Sequence, residues 1–557
     1  MEKATGQPPV DERQEILRIE GLQIGTRGGA GLIVDGVGFT IREGETLCVV
    51  GESGSGKSLT SLAVMGLLDP ALEVRAGRIS IDGVDVLNAP REALRRMRAT
   101  RMAMVFQEPM TALNPVETVG AQVEEVLRVH EEGGRGGGAA ARRKSVIEMF
   151  EAVHLPDPRR IYRSYPHELS GGQRQRIVIS MALILRPKLL IADEPTTALD
   201  VTTQRQILSL IDELRQRFGT AVLFITHDFG VVHDIADRIV VMNRGKIVET
   251  GSRDAVLARP RENYTRMLVS SVPSLTPIAR SAVPDDPVMS VSSLEKKYVW
   301  GGLFLRRREV AALRPTDLSL HRGEILGIVG ESGSGKTTLA RCLTRLIHPT
   351  GGCIMLDGID ISNLRAAELR PHRRKLQVVF QDPFRSLNAR LRIGEIIAEG
   401  LLNFGYPRAD ALRRAGDLLE RVGLTRDMLD RFPHQFSGGQ RQRISIARAL
   451  ALEPDVLVAD ESVSALDVSV QKQVLDLLRG IADDSGVAIL FITHDLRVAA
   501  QICDRILVMR HGQVVEAGTA ADVLGAPAHP YTRELIAAAP GRGWNFAAFE
   551  AIDQVSA

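Results

Sequence analysis

The sequence predicts an α/β protein in which one domain plan, built on a mainly parallel sheet, occurs twice. Three observations carry this expectation: a glycine-rich loop that recurs nearly unchanged, apolar runs that alternate with helical patterns, and a proline-bearing stretch between two halves of matching content. Gly51-Glu52-Ser53-Gly54-Ser55-Gly56-Lys57-Ser58 returns as Gly330-Glu331-Ser332-Gly333-Ser334-Gly335-Lys336-Thr337. Leu169-Ser170-Gly171-Gly172-Gln173 returns as Phe436-Ser437-Gly438-Gly439-Gln440, and Ala192-Asp193-Glu194 as Ala459-Asp460-Glu461. Motifs repeated in the same order mark a duplication.

In the first half, β-rich apolar runs at residues 46–50, 189–192 and 222–226 alternate with a helical pattern at 203–218. The second half repeats the strands at 325–329, 456–459 and 488–493. The first copy is longer between its glycine loop and its Ser-Gly-Gly run. Part of the surplus is the glycine-rich stretch 133–138, which reads as a flexible surface insertion. Residues 273–287 hold Pro273, Pro277, Pro284 and Pro287 among serines and aspartates and read as an exposed linker. The expected organisation is a tail at 1–15, one domain at 16–273, a linker at 274–287, a second domain at 288–541 and a tail at 542–557.

A length of 557 residues accommodates two domains, each able to bury a substantial core. The formal charge is only +2 and the charges are dispersed, so no basic field argues for nucleic acid or an acidic membrane surface. Cys48, Cys342, Cys353 and Cys503 lack the close spacing of a zinc or iron–sulfur site, which fits a reducing compartment. The first residues show no basic-then-apolar leader. No apolar stretch approaches the roughly 18–20 residues that span a bilayer, so the chain is not expected to cross a membrane.

The chemistry follows from residue types. A G-x4-G-K-[ST] loop between strand and helix offers backbone N–H groups and a helix N-terminus to phosphates, a lysine to the β/γ charge and a hydroxyl to magnesium. Lys57 and Lys336 are the expected cations, Ser58 and Thr337 the expected metal ligands. Each later apolar strand ends in adjacent acids. Asp193 and Asp460 suit direct or indirect magnesium contact, and Glu194 and Glu461 suit orienting or deprotonating a water. The Ser-Gly-Gly run at a helix start is a further anion site, with a hydroxyl and N–H groups pointing outward.

The runs Leu169-Ser170-Gly171-Gly172-Gln173 and Phe436-Ser437-Gly438-Gly439-Gln440 resemble the signature of ATP-binding-cassette (ABC) ATPases, at the family's spacing before the acids. The resemblance covers about residues 17–540. It implies two cassettes, each with a phosphate-loop core, an antiparallel β subdomain and a helical signature subdomain. Gln107 and Gln381 resemble the Q-loop glutamines that reach the metal, Asp200 and Asp467 the D-loop aspartates, and His227 and His494 the switch histidines at the γ-phosphate. The family arrangement implies two composite sites formed in cis. One combines Lys57, Ser58, Gln107, Asp193, Glu194 and His227 with Ser437, Gly438, Gly439 and Gln440. The other combines Lys336, Thr337, Gln381, Asp460, Glu461 and His494 with Ser170, Gly171, Gly172 and Gln173. Both sites keep their glutamate, histidine and signature serine, so both are expected to hydrolyse ATP with Mg2+.

Two departures from the family pattern stand out. Tyr298 resembles the aromatic on which adenine stacks, whereas Leu22-Gln23-Ile24-Gly25-Thr26 offers no ring, which predicts weaker ATP binding at the first loop. Ser462 follows Glu461 where Pro195 follows Glu194, with little consequence expected.

The branch of the family rests on further strings. Gln107-Glu108-Pro109-Met110-Thr111-Ala112-Leu113-Asn114-Pro115 and Gln381-Asp382-Pro383-Phe384-Arg385-Ser386-Leu387-Asn388 resemble dipeptide and oligopeptide importer ATPases. So do Tyr165-Pro166-His167-Glu168 and Phe432-Pro433-His434-Gln435, and the tails Asn263-Tyr264-Thr265-Arg266 and His529-Pro530-Tyr531-Thr532-Arg533. The resemblance is closest to the fused two-domain kind and implies two permease subunits, an extracytoplasmic substrate-binding protein and a place on the cytoplasmic face of the bacterial inner membrane, touched through the permeases only. No cysteines follow the tails, so no iron–sulfur cluster is expected. Cargo selectivity then lies in the partner subunits. The alternative is a soluble tandem ATPase of ribosomes or DNA repair. Against it stand the short proline-rich linker and the lack of zinc-spaced cysteines.

Overall fold

The computed structural model describes residues 13–107, 112–131, 138–196, 199–278, 285–300, 308–464 and 466–551. Most of the glycine insertion, part of the linker, Glu108, Pro109, Met110, Thr111 and Ala465 lie outside the described residues. The chain forms two compact units that part between Val269 and Ser270.

The first unit runs β1 (Glu15–Thr26), β2 (Leu32–Arg42), β3 (Thr46–Val50), β4 (Leu72–Ile81), β5 (Val84–Asp85), β6 (Met102–Val105), β7 (Leu189–Asp193), β8 (Ala221–Ile225), β9 (Arg238–Asn243) and β10 (Lys246–Ser252). Six of these strands form one sheet in the order β10-β9-β3-β8-β7-β6, and four form another in the order β2-β1-β4-β5. In the six-stranded sheet only the β9–β10 hairpin is antiparallel. Every residue of β3, β7 and β8 is buried, which is why these segments read as continuous apolar runs rather than alternating ones. The four-stranded sheet is antiparallel throughout.

The second unit repeats the plan with β11 (Pro287–Trp300), β12 (Arg308–His321), β13 (Ile325–Val329), β14 (Gly351–Leu356), β15 (Ile359–Asp360), β16 (Leu376–Val379), β17 (Val456–Asp460), β18 (Ala488–Ile492), β19 (Arg505–Arg510) and β20 (Gln513–Thr519). Its sheets have the orders β16-β17-β18-β13-β19-β20 and β12-β11-β14-β15. The predicted strands agree to within a residue at either end. Asp193 and Asp460 extend their strands because each pairs with the isoleucine that closes the neighbouring strand, Ile225 or Ile492. The helix expected at 203–218 begins earlier, as Val201–Phe218.

This topology positions the site. In a parallel sheet all strand ends of one sense lie on one edge, so the segments leaving β3, β6, β7 and β8 converge there. Those segments are the glycine loop, Gln107, the Asp193-Glu194 pair and His227. A buried glutamate in each unit is paired by a partly exposed arginine: Arg238 bonds Glu45 at 2.8 Å, and Arg505 bonds Glu324 at 3.0 Å.

Candidate functional site: two phosphate loops and their carboxylates

Each loop leaves its strand through a glycine that no other residue could replace without a shift. Gly51 has φ 148° and Gly330 φ 150°, and a Cβ there would lie 2.2 Å from the Met242 carbonyl oxygen or 2.3 Å from that of Met509. The loops then open the helices Lys57–Met65 and Lys336–Leu343. First-turn N–H groups have no partner within their own helix, and with the helix dipole they favour an anion at this end. The lysines fold onto the loop itself. Lys57 Nζ donates to Gly51 O at 2.7 Å and Glu52 O at 2.9 Å, and Lys336 Nζ donates to Gly330 O at 2.6 Å and Glu331 O at 2.9 Å. Burial, above all, pulls the Lys336 ammonium below the ordinary lysine range. A phosphate at the helix end would relieve that cost.

The predicted metal ligands come together at the strand ends. Ser58 Oγ donates to Asp193 Oδ1 at 3.2 Å. Burial pushes the Asp193 carboxyl up to about 6, against the Ser58 bond that favours its ionised form. Burial, followed by the neighbouring Glu461 charge, raises Asp460 to about 6 as well. Asp460 Oδ1 is buried with no hydrogen-bond partner among the described residues. Each unit thus offers a hydroxyl and a carboxylate whose charge is penalised by burial, Ser58 with Asp193 in the first and Thr337 with Asp460 in the second, hard oxygen donors that fit magnesium.

Each glutamate is gripped at both oxygens. Gln107 Nε2 donates to Glu194 Oε2 at 3.0 Å, and His227 Nδ1 lies 3.0 Å from Glu194 Oε1. In the second unit Gln381 Nε2 donates to Glu461 Oε2 at 2.7 Å, and His494 Nδ1 lies 3.6 Å from Glu461 Oε1. Burial alone would raise Glu461, but the adjacent His494 and the charge of Lys336 leave it below the usual carboxylate range. Burial likewise opposes the His494 imidazolium, yet Glu461 and then Asp495 hold its pKa above the ordinary value. The second unit therefore keeps an ionised glutamate, as a proton acceptor must be. Both glutamates adopt φ 47°, a left-handed conformation with no signal in the motifs.

The signature runs begin the helices Gly171–Leu183 and Gly438–Leu450. Ser170 Oγ accepts from Gln173 N at 3.3 Å while Gln173 Oε1 accepts from Ser170 N at 3.0 Å, and Ser437 with Gln440 repeats this at 3.3 and 3.1 Å. The serine and glutamine thus form a capping box, which refines the expectation of an outward hydroxyl: its oxygen is engaged and its proton is left to donate. The second glycine is there for space. A Cβ on Gly172 would meet Thr203 Cγ2 at 2.6 Å, and one on Gly439 would meet Val470 Cγ1 at 2.2 Å. Asp200 Oδ1 accepts from Thr202 Oγ1 at 2.8 Å, and Asp467 stands at the N-cap of the helix Val468–Ser485. Tyr298 lies on β11, half-buried, with Lys296 Nζ 5.2 Å from its ring centre.

One contact was not legible in the motifs. The tail tyrosines reach the loops: Tyr264 Oη accepts from Glu52 N at 3.2 Å and Tyr531 Oη from Glu331 N at 3.1 Å. The only sequence signal was the recurrence of Tyr-Thr-Arg in both tails.

The sequence that builds these sites matches known proteins. A model of the ABC transporter family matches residues 34–197 and 313–464. The chain belongs to that family. It is an ATP-binding protein and an ATPase, and its α/β units are two ABC cassettes. A second model, for the C-terminal region of oligopeptide and dipeptide transporters, matches residues 248–311 and 515–545. Over 544 residues the chain is 45% identical to the glutathione import ATP-binding protein GsiA of Shigella dysenteriae, covering 91% of this chain and 86% of that one. Over 535 residues it is 46% identical to the peptidoglycan transport ATP-binding protein YejF of Agrobacterium fabrum, covering 94% and 96%. A solved dimeric structure of a bacterial ABC transporter cassette is 30% identical, covers 42% of this chain and 98% of its own, and has a TM-score of 0.38.

Proposed function

We propose that this chain is the ATP-hydrolysing subunit of an importer for peptides or peptide-like solutes, acting with two permease subunits and an extracytoplasmic binding protein at the cytoplasmic face of the bacterial inner membrane. The observation that carries the reading is the oligopeptide and dipeptide transporter extension, matched at the end of both cassettes. The glutathione import and peptidoglycan transport relatives, 45% and 46% identical over most of their lengths, support it. No helix among the described residues is long and apolar enough to cross a membrane, in keeping with a peripheral subunit.

In this reading each glycine loop, with Lys57 or Lys336, binds the nucleotide phosphates, and Tyr298 stacks on adenine at the second site. Ser58, Asp193 and Gln107, or Thr337, Asp460 and Gln381, would hold Mg2+. When bound, that ion would supply positive charge to offset that of the phosphates. Glu194 or Glu461 orients the attacking water and takes its proton, held by a glutamine on one side and a histidine on the other. Asp200 and Asp467 take the part of the family's D-loop aspartates. Each signature, residues 170–173 or 437–440, closes on the nucleotide of the other cassette, donating its serine hydroxyl and helix-start N–H groups to the γ-phosphate.

ATP then favours a closed pair and hydrolysis an open one, and that difference in affinity does the work on the permease. The permease contact is proposed at the Q-loops. In the second unit Phe380, 42% exposed, lines a cleft of about 500 Å³ together with Thr337, Gln381, Arg385 and Asp460. An apolar ring exposed to that extent beside the metal ligands suits a helix from a partner. The test is to purify a Glu194→Gln, Glu461→Gln double variant from detergent-solubilised membranes and identify its companions by mass spectrometry. Two multi-span permeases in stoichiometric amount are expected. Ribosomal or DNA-repair proteins in their place overturn the reading.

A further inference from the structure

The C-terminal extension contributes a hydrogen-bond acceptor to the phosphate loop in both cassettes. Tyr264 belongs to the helix Asn263–Ser270 and Tyr531 to the helix Pro530–Ala538. Their hydroxyls take the N–H of Glu52 at 3.2 Å and of Glu331 at 3.1 Å. The carbonyl of the same peptide unit, on Gly51 or Gly330, accepts from the loop lysine at 2.7 or 2.6 Å. A peptide unit is planar and stiff, so lysine and tyrosine fix one plane from its two edges. Once the lysine turns to a phosphate, the tyrosine is the holder that stays.

The extension is itself anchored to the hairpin that confines the loop. Glu249 on β10 accepts from the N–H groups of Arg261 at 2.9 Å and Glu262 at 3.1 Å. Glu516 on β20 does the same for Ala528 at 2.7 Å and His529 at 3.2 Å. The partner strands β9 and β19 carry Met242 and Met509, whose carbonyls crowd Gly51 and Gly330. The tyrosine ring is therefore registered to the same strand pair as the glycine it steadies. Tyr531 is 1% exposed, with the Arg510 guanidinium 4.5 Å above its ring. Tyr264 is more open and donates its own proton to Glu52 Oε2 at 3.3 Å.

We propose that Tyr264 and Tyr531 are positioning residues of the ATP sites, each holding the entry peptide of its phosphate loop in the orientation that receives the nucleotide. The extension is then a component of ATP binding as well as a mark of the transporter branch. The proposal rests on the reading of both loops as ATP sites.

The test uses the full chain with Tyr264→Phe and Tyr531→Phe, singly and together, since phenylalanine keeps the ring and deletes only the hydroxyl. Loss of the bond that each hydroxyl accepts from its loop, together at Tyr264 with the one it donates to Glu52, should raise Kd and KM for ATP about three- to tenfold and leave kcat within about twofold. Leu535→Val, a buried apolar side chain of the same helix, serves as the packing control. Unchanged Kd in the double variant overturns the proposal, as does an equal rise in Leu535→Val. Lys57→Ala with Lys336→Ala checks the site reading separately, because intact ATP binding there removes the loops as ATP sites whatever the tyrosines do. Should the phenylalanine variants not fold, hydrogen exchange on the unaltered chain decides: the Glu52 and Glu331 amides should be protected, and open amides overturn the proposal.

Discussion

The two cassettes agree in their reactive parts and differ at the edges. Glu194 and Glu461 share a backbone conformation and the same pair of holders. The grip differs in balance. The first unit holds its glutamate evenly, with glutamine and histidine both at 3.0 Å, whereas the second draws the glutamine in to 2.7 Å and leaves the histidine at 3.6 Å. At the adenine end Tyr298 has no ring opposite it in the first unit, where Thr26 ends the equivalent strand. Beside the glutamate, Ser462 replaces Pro195. The geometry around the glutamates is thus duplicated, while the residues at the adenine end and beside the glutamate differ.

The likeness of the two sites is most open to test at the glutamates. If both sites hydrolyse, Glu194→Gln and Glu461→Gln should each remove at least about half of the phosphate release, and the double variant should lose about 100-fold or more, the scale of a general base. A wild-type rate in Glu194→Gln beside a dead Glu461→Gln would mean that the first site only binds. The buried aspartates come next. Asp193 and Asp460 sit near 6 rather than the ordinary 3.8, so their ionised forms are penalised in the folded state. That cost is absent below pH about 4 and complete above pH about 6. In nucleotide- and metal-free chain at pH about 7, Asp193→Asn or Asp460→Asn should therefore add stability, up to about 3 kcal/mol per site, while Mg2+-dependent ATPase is lost. Denaturation at pH about 4 should show no such gain; a gain of equal size there would assign it to something other than charge burial.

Smaller effects separate the two sites. With both glutamates mutated, Thr26→Tyr should tighten ATP at the first site and Tyr298→Thr loosen it at the second, each by about 1–3 kcal/mol if stacking is what distinguishes them. Equal affinities before mutation count against the idea. Smallest is Ser462→Ala. Ser462 is 1% exposed and its Oγ has no partner among the described residues, so removing the hydroxyl should stabilise the second unit by about 1 kcal/mol in a thermal melt. The sequence suggested little consequence for this replacement, and a buried unpaired hydroxyl is the cost it could not reveal.

Much of the architecture was legible because it is periodic. Strands buried on both faces leave continuous apolar runs, and β3 and β13 were read to the residue. The glycine loops, acids, glutamines and histidines were legible as motifs, and parallel topology explains why residues as distant as Gln107 and Glu194 meet at 3.0 Å. What stayed hidden lacks a local pattern. The contact of Tyr264 with Glu52 spans most of the first unit, and the φ of Glu194 is imposed by the strand end around it rather than by its side chain. The Ser170–Gln173 capping box is readable in principle, from serine and glutamine at cap spacing, but the same residues read as an anion site and that reading masks the cap.

The left-handed glutamates set the demands of folding and of chemistry against each other. At φ 47° glycine or asparagine would sit with less strain than Glu194 or Glu461, a difference of order 1–3 kcal/mol. A library of this protein selected for heat resistance alone should therefore accumulate glycine and asparagine at positions 194 and 461 and give up turnover as it does so. Directed evolution would need an activity screen in every round to keep those two carboxylates.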